Sequence, residues 1–193
     1  MGTYRGRWGV SRVLAMGRPL GWRRTLMSAD LRLFWYVHMR MARRWLDRFM
    51  RVITHLGGVM STVGLCTALI LMGPETRRVG YTALVALSTS HLLVQLLKRQ
   101  VERPRPYLVL ADRRVIVAPL SDYSFPSGHT TASFAIATVL AARWPAAGPL
   151  AFATASIVGL SRTYLGHHYP SDVLAGAAIG ILFAYVSVLG IGW

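Results

Sequence analysis

Long apolar runs alternate with short polar stretches from residue 52 to the end of the chain, and this pattern predicts the architecture. A transmembrane helix needs about 20 mainly apolar residues, within a range of about 17–25. Lipid satisfies no backbone polar group, so helices are the expected form of a crossing segment. Five runs approach the required length: Val52–Met72, Tyr81–Leu97, Gly128–Trp144, Pro149–Leu165 and Pro170–Trp193. The sequence therefore predicts an all-α polytopic membrane helix bundle with about five transmembrane helices.

Residues 1–51 have a different pattern, with 12 arginines and two aspartates. Within them, Leu31–Met50 mixes Leu, Phe, Trp and Met with several arginines, which is typical of a helix that lies in the membrane interface. A full crossing is disfavoured, because each central arginine would cost about 2.5 kcal/mol or more. We therefore expect two parts, a basic amphipathic segment over 1–51 and a membrane-embedded domain over 52–193.

The composition agrees with a membrane protein, since 53% of the 193 residues are hydrophobic and the mean hydropathy is +0.41. The net charge of +15 is compatible with nucleic acid, an anionic membrane surface or an anionic substrate. No nucleic-acid recognition motif is apparent and the apolar runs would have no role in such binding, so nucleic acid is disfavoured. The single cysteine, Cys66, excludes an intramolecular disulfide and a cysteine metal cluster.

Three polar clusters interrupt the apolar region, each at the end of a predicted helix. They are "KRQVERPRPY" at Lys98–Tyr107, "SFPSGHT" at Ser124–Thr130 and "SRTYLGHHYPSD" at Ser161–Asp172. Prolines in the first cluster should stop the second helix there. The third helix leaves that side of the membrane and the fourth returns to it. Helix counting therefore places all three clusters on one face.

The cations of these clusters suit a phosphate group. Lys98, Arg105 and Arg162 converge on that face, and arginine pairs bidentately with phosphate oxygens while lysine supplies a compact point charge. Ser127 lies near the N-cap of a helix, so the amides around Ser127–His129 should face an anion. Gly128 lets the backbone approach closely. The pattern predicts an oxyanion site.

Histidines beside this site supply the remaining groups that phosphoryl transfer requires. A nucleophile and an acid for the leaving group should come from different segments, and His129 is well separated from the adjacent His167 and His168. Asp172 follows His168 by four residues and could hold one ring nitrogen across a helical turn, so that the other nitrogen faces the phosphate. His167 is five residues from Asp172 and should point elsewhere. The acids near the clusters show no metal-ligand spacing, so no metal is expected.

With these motifs the chain resembles the type 2 phosphatidic acid phosphatase family, which is related to bacterial acid phosphatases and vanadium haloperoxidases. The resemblance rests on "KRQVERPRP" (98–106), "PSGH" (126–129) and "SRTYLGHHYPSD" (161–172) and covers about residues 52–193. Every motif position is matched. Many members have six helices, whereas this pattern shows five, which fits the compact bacterial branch that includes undecaprenyl-diphosphate phosphatases.

The resemblance implies a role for each motif residue. His168 matches the nucleophile that forms a phosphohistidine, Asp172 its orienting carboxylate, and His129 the acid that protonates the leaving group. The family needs no metal, and no cofactor is expected. The residues that match the phosphate-binding positions are Lys98, Arg105, Ser127, Gly128 and Arg162.

The resemblance implies an integral membrane lipid phosphatase, with undecaprenyl-diphosphate phosphatase favoured. Phosphatidylglycerophosphate or phosphatidic acid phosphatase is the first alternative, because the motifs hold the phosphate and do not read the rest of the lipid. A non-enzymatic membrane scaffold or lipid transporter is an alternative of another class, and a haloperoxidase is disfavoured by the membrane setting. The partners are a lipid phosphate or diphosphate and membrane lipids, with no nucleic acid and an open oligomeric state.

The location is a multi-pass cell-membrane protein, and two lines of reasoning disagree on its orientation. By family resemblance the site faces the extracytoplasmic side. Of the 22 basic residues, 19 lie on the motif side, which would make that side cytoplasmic by the positive-inside rule. The disagreement disappears if Leu31–Met50 crosses the membrane.

Overall fold

The computed structural model describes residues 21–109, 116 and 120–192. The first 20 residues of the predicted basic segment and Trp193 at the end of the fifth apolar run lie outside this part. The described residues are mainly helical and include no strand. The α-helices are α1 (Gly21–Trp35), α2 (Arg44–Ile53), α3 (Val59–Met72), α4 (Pro74–Val101), α5 (Pro106–Val109), α6 (Gly128–Arg143), α7 (Gly148–Tyr164) and α8 (Pro170–Ile191).

The all-α prediction is confirmed, and each of the five apolar runs contains one main helix. Among the described residues, two continuous stretches are long and apolar enough to cross a membrane, Pro74–Leu108 and Pro170–Ile191. A third is possible if α2 and α3, which meet at 50°, form one broken span. Helices α6 and α7 have 16 and 17 residues, at or below the short end of the crossing range.

The first apolar run was predicted as one helix over Val52–Met72, and this is wrong. Helix α2 ends at Ile53, a tight turn covers Thr54–Gly57, and Gly58 is extended before α3 begins. A Cβ atom on Gly57 would lie 2.7 Å from a side-chain carbon of Val158 in α7 and 2.8 Å from a backbone oxygen of α6. The turn is therefore pressed against both helices, which a continuous helix would prevent.

Helix α4 ends where the prolines of the first cluster predict. Its C-cap, Glu102, has φ 47°, a left-handed conformation that terminates the helix, and Pro104 follows. The helix begins earlier than predicted, at Pro74, because proline is well suited to the first helical position. Its 28 residues carry Lys98 to the polar end of the bundle.

Leu31–Met50 is not one interfacial helix, contrary to the prediction. It contains the end of α1, a wider helical turn over Tyr36–Arg40, a break, and most of α2. Val37, Leu46 and Met50 pack in a buried cluster with two residues at the end of α7. The division at residue 51 remains a prediction about folding units, and this residue lies inside α2.

Helix α6 lies at the centre of the bundle, in contact with α3, α4, α7 and α8. Small residues of α8 allow the closest of these approaches. A Cβ atom on Gly176 would lie 2.6 Å from the backbone oxygen of Ser127, and one on Gly180 would meet that of Thr131. The Gly-x-x-x-Gly pair therefore brings α8 against the start of α6, where the motif residues lie.

Candidate active site

Arg105 lies at the centre of the candidate site and is almost entirely buried, with 1% of its surface exposed. Its Nη1 donates to the backbone oxygen of His167 at 2.8 Å and lies 3.2 Å from Nε2 of His168. Its Nε and Nη2 donate to the backbone oxygen and the Oδ1 atom of Asp122 at 2.8 and 2.5 Å. Four contacts therefore fix the guanidinium beside the ring of His168.

Asp122 lies between two of the predicted phosphate-binding cations. Its carboxylate pairs with Lys98 through one oxygen and with Arg105 through the other. Partial burial alone would raise its pKa, but the two cations outweigh burial and lower the pKa to about 2. The carboxylate therefore stays ionised above that pH and remains paired with both cations. Its side chain is half-exposed, so an entering phosphate could replace it.

His168 is 2% exposed, and its surroundings define its tautomer. Nδ1 lies 2.6 Å from the backbone oxygen of Ser124, and a carbonyl oxygen only accepts hydrogen bonds. Nδ1 therefore carries the proton, and the lone pair of Nε2 faces Arg105. Burial first, and then the positive charge of Arg105 and its neighbours, lowers the pKa of His168 well below 6.5, so the ring is neutral at pH 7.

Asp172 has a different environment from the one that its spacing predicted. Its Oδ2 is 3.7 Å from Nδ1 of His168, outside hydrogen-bond distance, and accepts instead from the backbone N–H of Tyr169 at 2.9 Å. Its Oδ1 accepts from Nη1 of Arg103 at 2.6 Å. The hydrogen-bond partner of Nδ1 of His168 is thus a backbone carbonyl, and Asp172 caps the start of α8 beside it.

The start of α6 confirms the predicted N-cap position of Ser127. The backbone N–H of Ser127 donates to the backbone oxygen of Asp172 at 3.0 Å, and its side-chain oxygen accepts from Thr130 at 2.9 Å. This amide is therefore not directed at an anion, contrary to expectation. The amides of Gly128 and His129 belong to the first turn of α6. The N–H groups of a first helical turn have no acceptor within the helix, so these two can donate to an anion.

Arg162 is brought to the site by the last turn of α7 and is 3% exposed. Its Nη1 donates to the side-chain oxygen of Thr54 at 2.8 Å, in the tight turn between α2 and α3. Its Nε has no hydrogen-bond partner among the described residues. A buried guanidinium N–H without a partner is costly, so this group is prepared to bind an anion.

One cavity of about 430 Å³ connects these groups. Its polar end is formed by motif residues, and the cavity continues along the side of α4 between α3 and α6, where its wall is mainly apolar. Ser127 and Asp172 are packed behind the wall rather than in it. The predicted site residues that line the cavity are Lys98, Arg105, Gly128, His129, Arg162 and His168.

Sequence reasoning missed a second ionic network that holds the loop of His168. Arg103 donates to Asp172 and to Asp30 of α1, each at 2.6 Å, and lies 3.9 Å from the ring centre of Tyr169. Asp30 also accepts from the backbone N–H and the hydroxyl of Ser171, at 2.9 and 2.6 Å. The basic N-terminal segment is therefore attached to the start of α8. Asp30 is separated from the motifs by about 70 residues or more, so no local pattern indicates this contact.

We expect Asp30→Asn to lower the free energy of unfolding by about 1.5–3 kcal/mol, the usual contribution of a hydrogen bond to a charged group. It should also lower kcat more than it raises KM, because the His168 loop loses an anchor while the cavity keeps its cations. Thermal unfolding in detergent and steady-state phosphate release measure the two effects. Asp30→Glu should restore part of kcat.

Glu75→Gln is the matched control for this prediction. Glu75 pairs with Arg143 at 3.2 Å, but its side chain is 87% exposed, and such pairs contribute little to stability. Equal losses in the Asp30 and Glu75 variants would show that the Asp30 network has no special role.

Comparisons with known proteins identify the family and agree with the helical membrane fold. The sequence model of the PAP2 superfamily matches residues 80–193. An undecaprenyl-diphosphatase of Sulfolobus acidocaldarius is 31% identical over 123 residues, which are 63% of this chain and 60% of that protein. The chain thus spans less than two thirds of that relative.

Two solved structures have the same fold at comparable identity. The crystal structure of Aquifex aeolicus LpxE superposes with a TM-score of 0.75 at 32% identity and covers 82% of this chain and 94% of that one. A transmembrane PAP2-type phosphatidylglycerolphosphate phosphatase from Bacillus subtilis gives a TM-score of 0.71 at 30% identity, with 84% of each chain covered.

Proposed function

Because this chain belongs to the PAP2 superfamily, we propose that it is a membrane enzyme that hydrolyses a phosphomonoester or diphosphate on a lipid. The observation that carries the proposal is a cavity that joins three cations and two histidines at one end to an apolar wall at the other. A phosphate group matches the first end and a hydrocarbon chain the second. A scaffold or transporter would have no need for a neutral, oriented imidazole beside the cations.

We infer a two-step mechanism from the orientation of His168. Nε2 attacks phosphorus, so an N–P bond forms while the P–O bond to the lipid breaks. His129, which also lines the cavity, gives its proton to the departing oxygen. Water then attacks the phosphohistidine with His129 as the base, which releases inorganic phosphate and restores Nε2. Lys98, Arg105 and Arg162 stabilise the charge on the phosphoryl oxygens throughout.

Undecaprenyl diphosphate is the favoured substrate, and the relative from S. acidocaldarius carries that activity in its name. The B. subtilis structure is named for phosphatidylglycerolphosphate, so this lipid and phosphatidic acid are the alternatives. All three offer a terminal phosphate for the cations and a hydrocarbon chain for the apolar wall.

A substrate panel tests the proposal. We expect purified protein in detergent to release phosphate from undecaprenyl diphosphate with a higher kcat/KM than from phosphatidylglycerophosphate or phosphatidic acid. A higher value for either glycerolipid would replace the favoured substrate. The absence of phosphate release from every lipid would contradict enzymatic function and favour a scaffold or transporter.

The extracytoplasmic face is the proposed side of the active site, for which a cell-wall lipid carrier is a suitable substrate. The test is a pair of topology reporters, one at the N-terminus and one in the turn at Pro145–Ala147, which joins α6 to α7. A cytoplasmic motif face would remove the support for the cell-wall role.

A further inference from the structure

The side of α4 that lines the cavity carries polar residues that the phosphate site does not use. The wall extends along this helix from Leu84 to Lys98, a distance of about 21 Å at a rise of about 1.5 Å per residue. His91 and Gln95 lie in this wall. The cavity is therefore long, and these two side chains are between its cationic end and its apolar end.

The helical repeat places these side chains in line with Lys98. His91 precedes Lys98 by seven residues and Gln95 precedes it by three, so all three lie on one face of α4. Along the helix axis, Gln95 is about 4.5 Å and His91 about 10 Å from Lys98. A lipid with its phosphate at Lys98 and its hydrocarbon chain along the apolar wall would have its leaving group next to them.

Both side chains line the cavity and have hydrogen-bonding capacity that their mutual contact does not use. Nε2 of Gln95 lies 2.9 Å from Nε2 of His91. An amide nitrogen only donates, so the ring nitrogen accepts, and in the neutral ring Nδ1 carries the proton. Within the described chain neither side chain makes another hydrogen bond, which leaves one amide N–H and the Nδ1–H available.

Polar side chains within a membrane-spanning helix are costly, and those that occur commonly mark a functional site. Two side chains at i and i+4 that only hydrogen-bond to each other could lie on any face of α4. His91 and Gln95 lie instead in the cavity wall beside the phosphate site. We propose that His91 and Gln95 form a subsite that donates hydrogen bonds to oxygen atoms of the leaving group. The inference rests on the proposed function and adds a substrate class to it, lipids whose leaving group carries oxygen near the scissile bond.

Two sources can supply these oxygens, and the experiment separates them. The first is the second phosphate of a polyprenyl diphosphate, and the other is the glycerol and ester oxygens of a glycerolipid. Farnesyl diphosphate represents the first, dioctanoyl phosphatidic acid the second, and farnesyl phosphate has neither. Gln95→Leu and His91→Phe remove the donors and keep the approximate size of each side chain.

We expect each variant to lower kcat/KM about 3- to 10-fold for a substrate whose leaving group offers oxygen, the usual effect of one hydrogen bond. The value for farnesyl phosphate should not change. A selective loss on farnesyl diphosphate assigns the subsite to the second phosphate, and a selective loss on phosphatidic acid assigns it to the glycerol and ester oxygens. Gln100→Leu, an exposed position at the end of α4, is the control and should affect no substrate.

Two results would overturn the inference. An equal loss on farnesyl phosphate would mean that the variants disturb the helix or the phosphate site, and the absence of any loss would mean that the pair contacts no substrate. Wild-type protein that releases no phosphate from any of the three substrates would instead refute the proposed function, and the subsite with it.

Discussion

Replacement of His168 by asparagine is expected to abolish phosphate release, with a loss of about 10⁴-fold or more in kcat, as for other covalent nucleophiles. The side-chain amide of asparagine can still donate to the backbone oxygen of Ser124, which preserves the hydrogen bond that Nδ1 makes. It provides no equivalent of the Nε2 lone pair beside Arg105. The loss would therefore reflect the missing nucleophile rather than a collapsed loop. Steady-state phosphate release and rapid-quench detection of the phosphorylated protein measure it.

His167→Asn is the matched control, with the same substitution one residue earlier. The contact of His167 with Arg105 uses its backbone oxygen, which the substitution keeps, and its ring makes an edge contact with Tyr107 at 6.2 Å. We expect turnover to be weakened and not abolished. Phosphate release that survives in His168→Asn, or that disappears equally in His167→Asn, would contradict the phosphohistidine mechanism.

Replacement of Arg162 by lysine is expected to lower kcat/KM by about 10²–10³-fold, the usual effect of removing a preorganised transition-state donor. The positive charge remains, but lysine lacks two groups of the guanidinium. It has no equivalent of Nη1, which donates to Thr54, and none of the Nε–H, which lacks a partner among the described residues. A planar donor in fixed orientation is replaced by a flexible point charge. Inhibition by inorganic phosphate should weaken in parallel, because the same donors bind the product.

Arg143→Lys is the control for this substitution. Arg143 ends α6 at the end of the helix away from the motif residues and makes an exposed ion pair with Glu75. The kcat/KM of the Arg143→Lys variant should equal that of the unmodified protein. If Arg162→Lys also retained full kcat/KM, the role of Arg162 as a phosphate ligand would be wrong.

The chain itself determines most of the helical segments and the candidate chemical groups that they carry. Backbone groups in lipid must be satisfied locally, so apolar runs such as Pro170–Trp193 predict a helix without reference to any other part of the molecule. Pro104 likewise predicts where α4 ends, because proline restricts the residue before it. The motif residues have charged or nucleophilic side chains in an apolar region, where such groups are too costly to be frequent without function. The prediction of family membership from these motifs is confirmed.

Only the tertiary structure decides which partner each of these side chains has. Spacing along a helix placed Asp172 beside His168, but a carbonyl from a distant loop, that of Ser124, is closer to the ring. Asp30 reaches the site across more than 70 residues, and Thr54 reaches Arg162 across 108. Such contacts depend on how helices pack together, whereas residue spacing defines neighbours only within one helix. The sequence by itself therefore predicted most of the helices and the candidate reacting groups. Packing decided the orientation of those groups, since hydrogen bonds form between the atoms that the fold brings within reach.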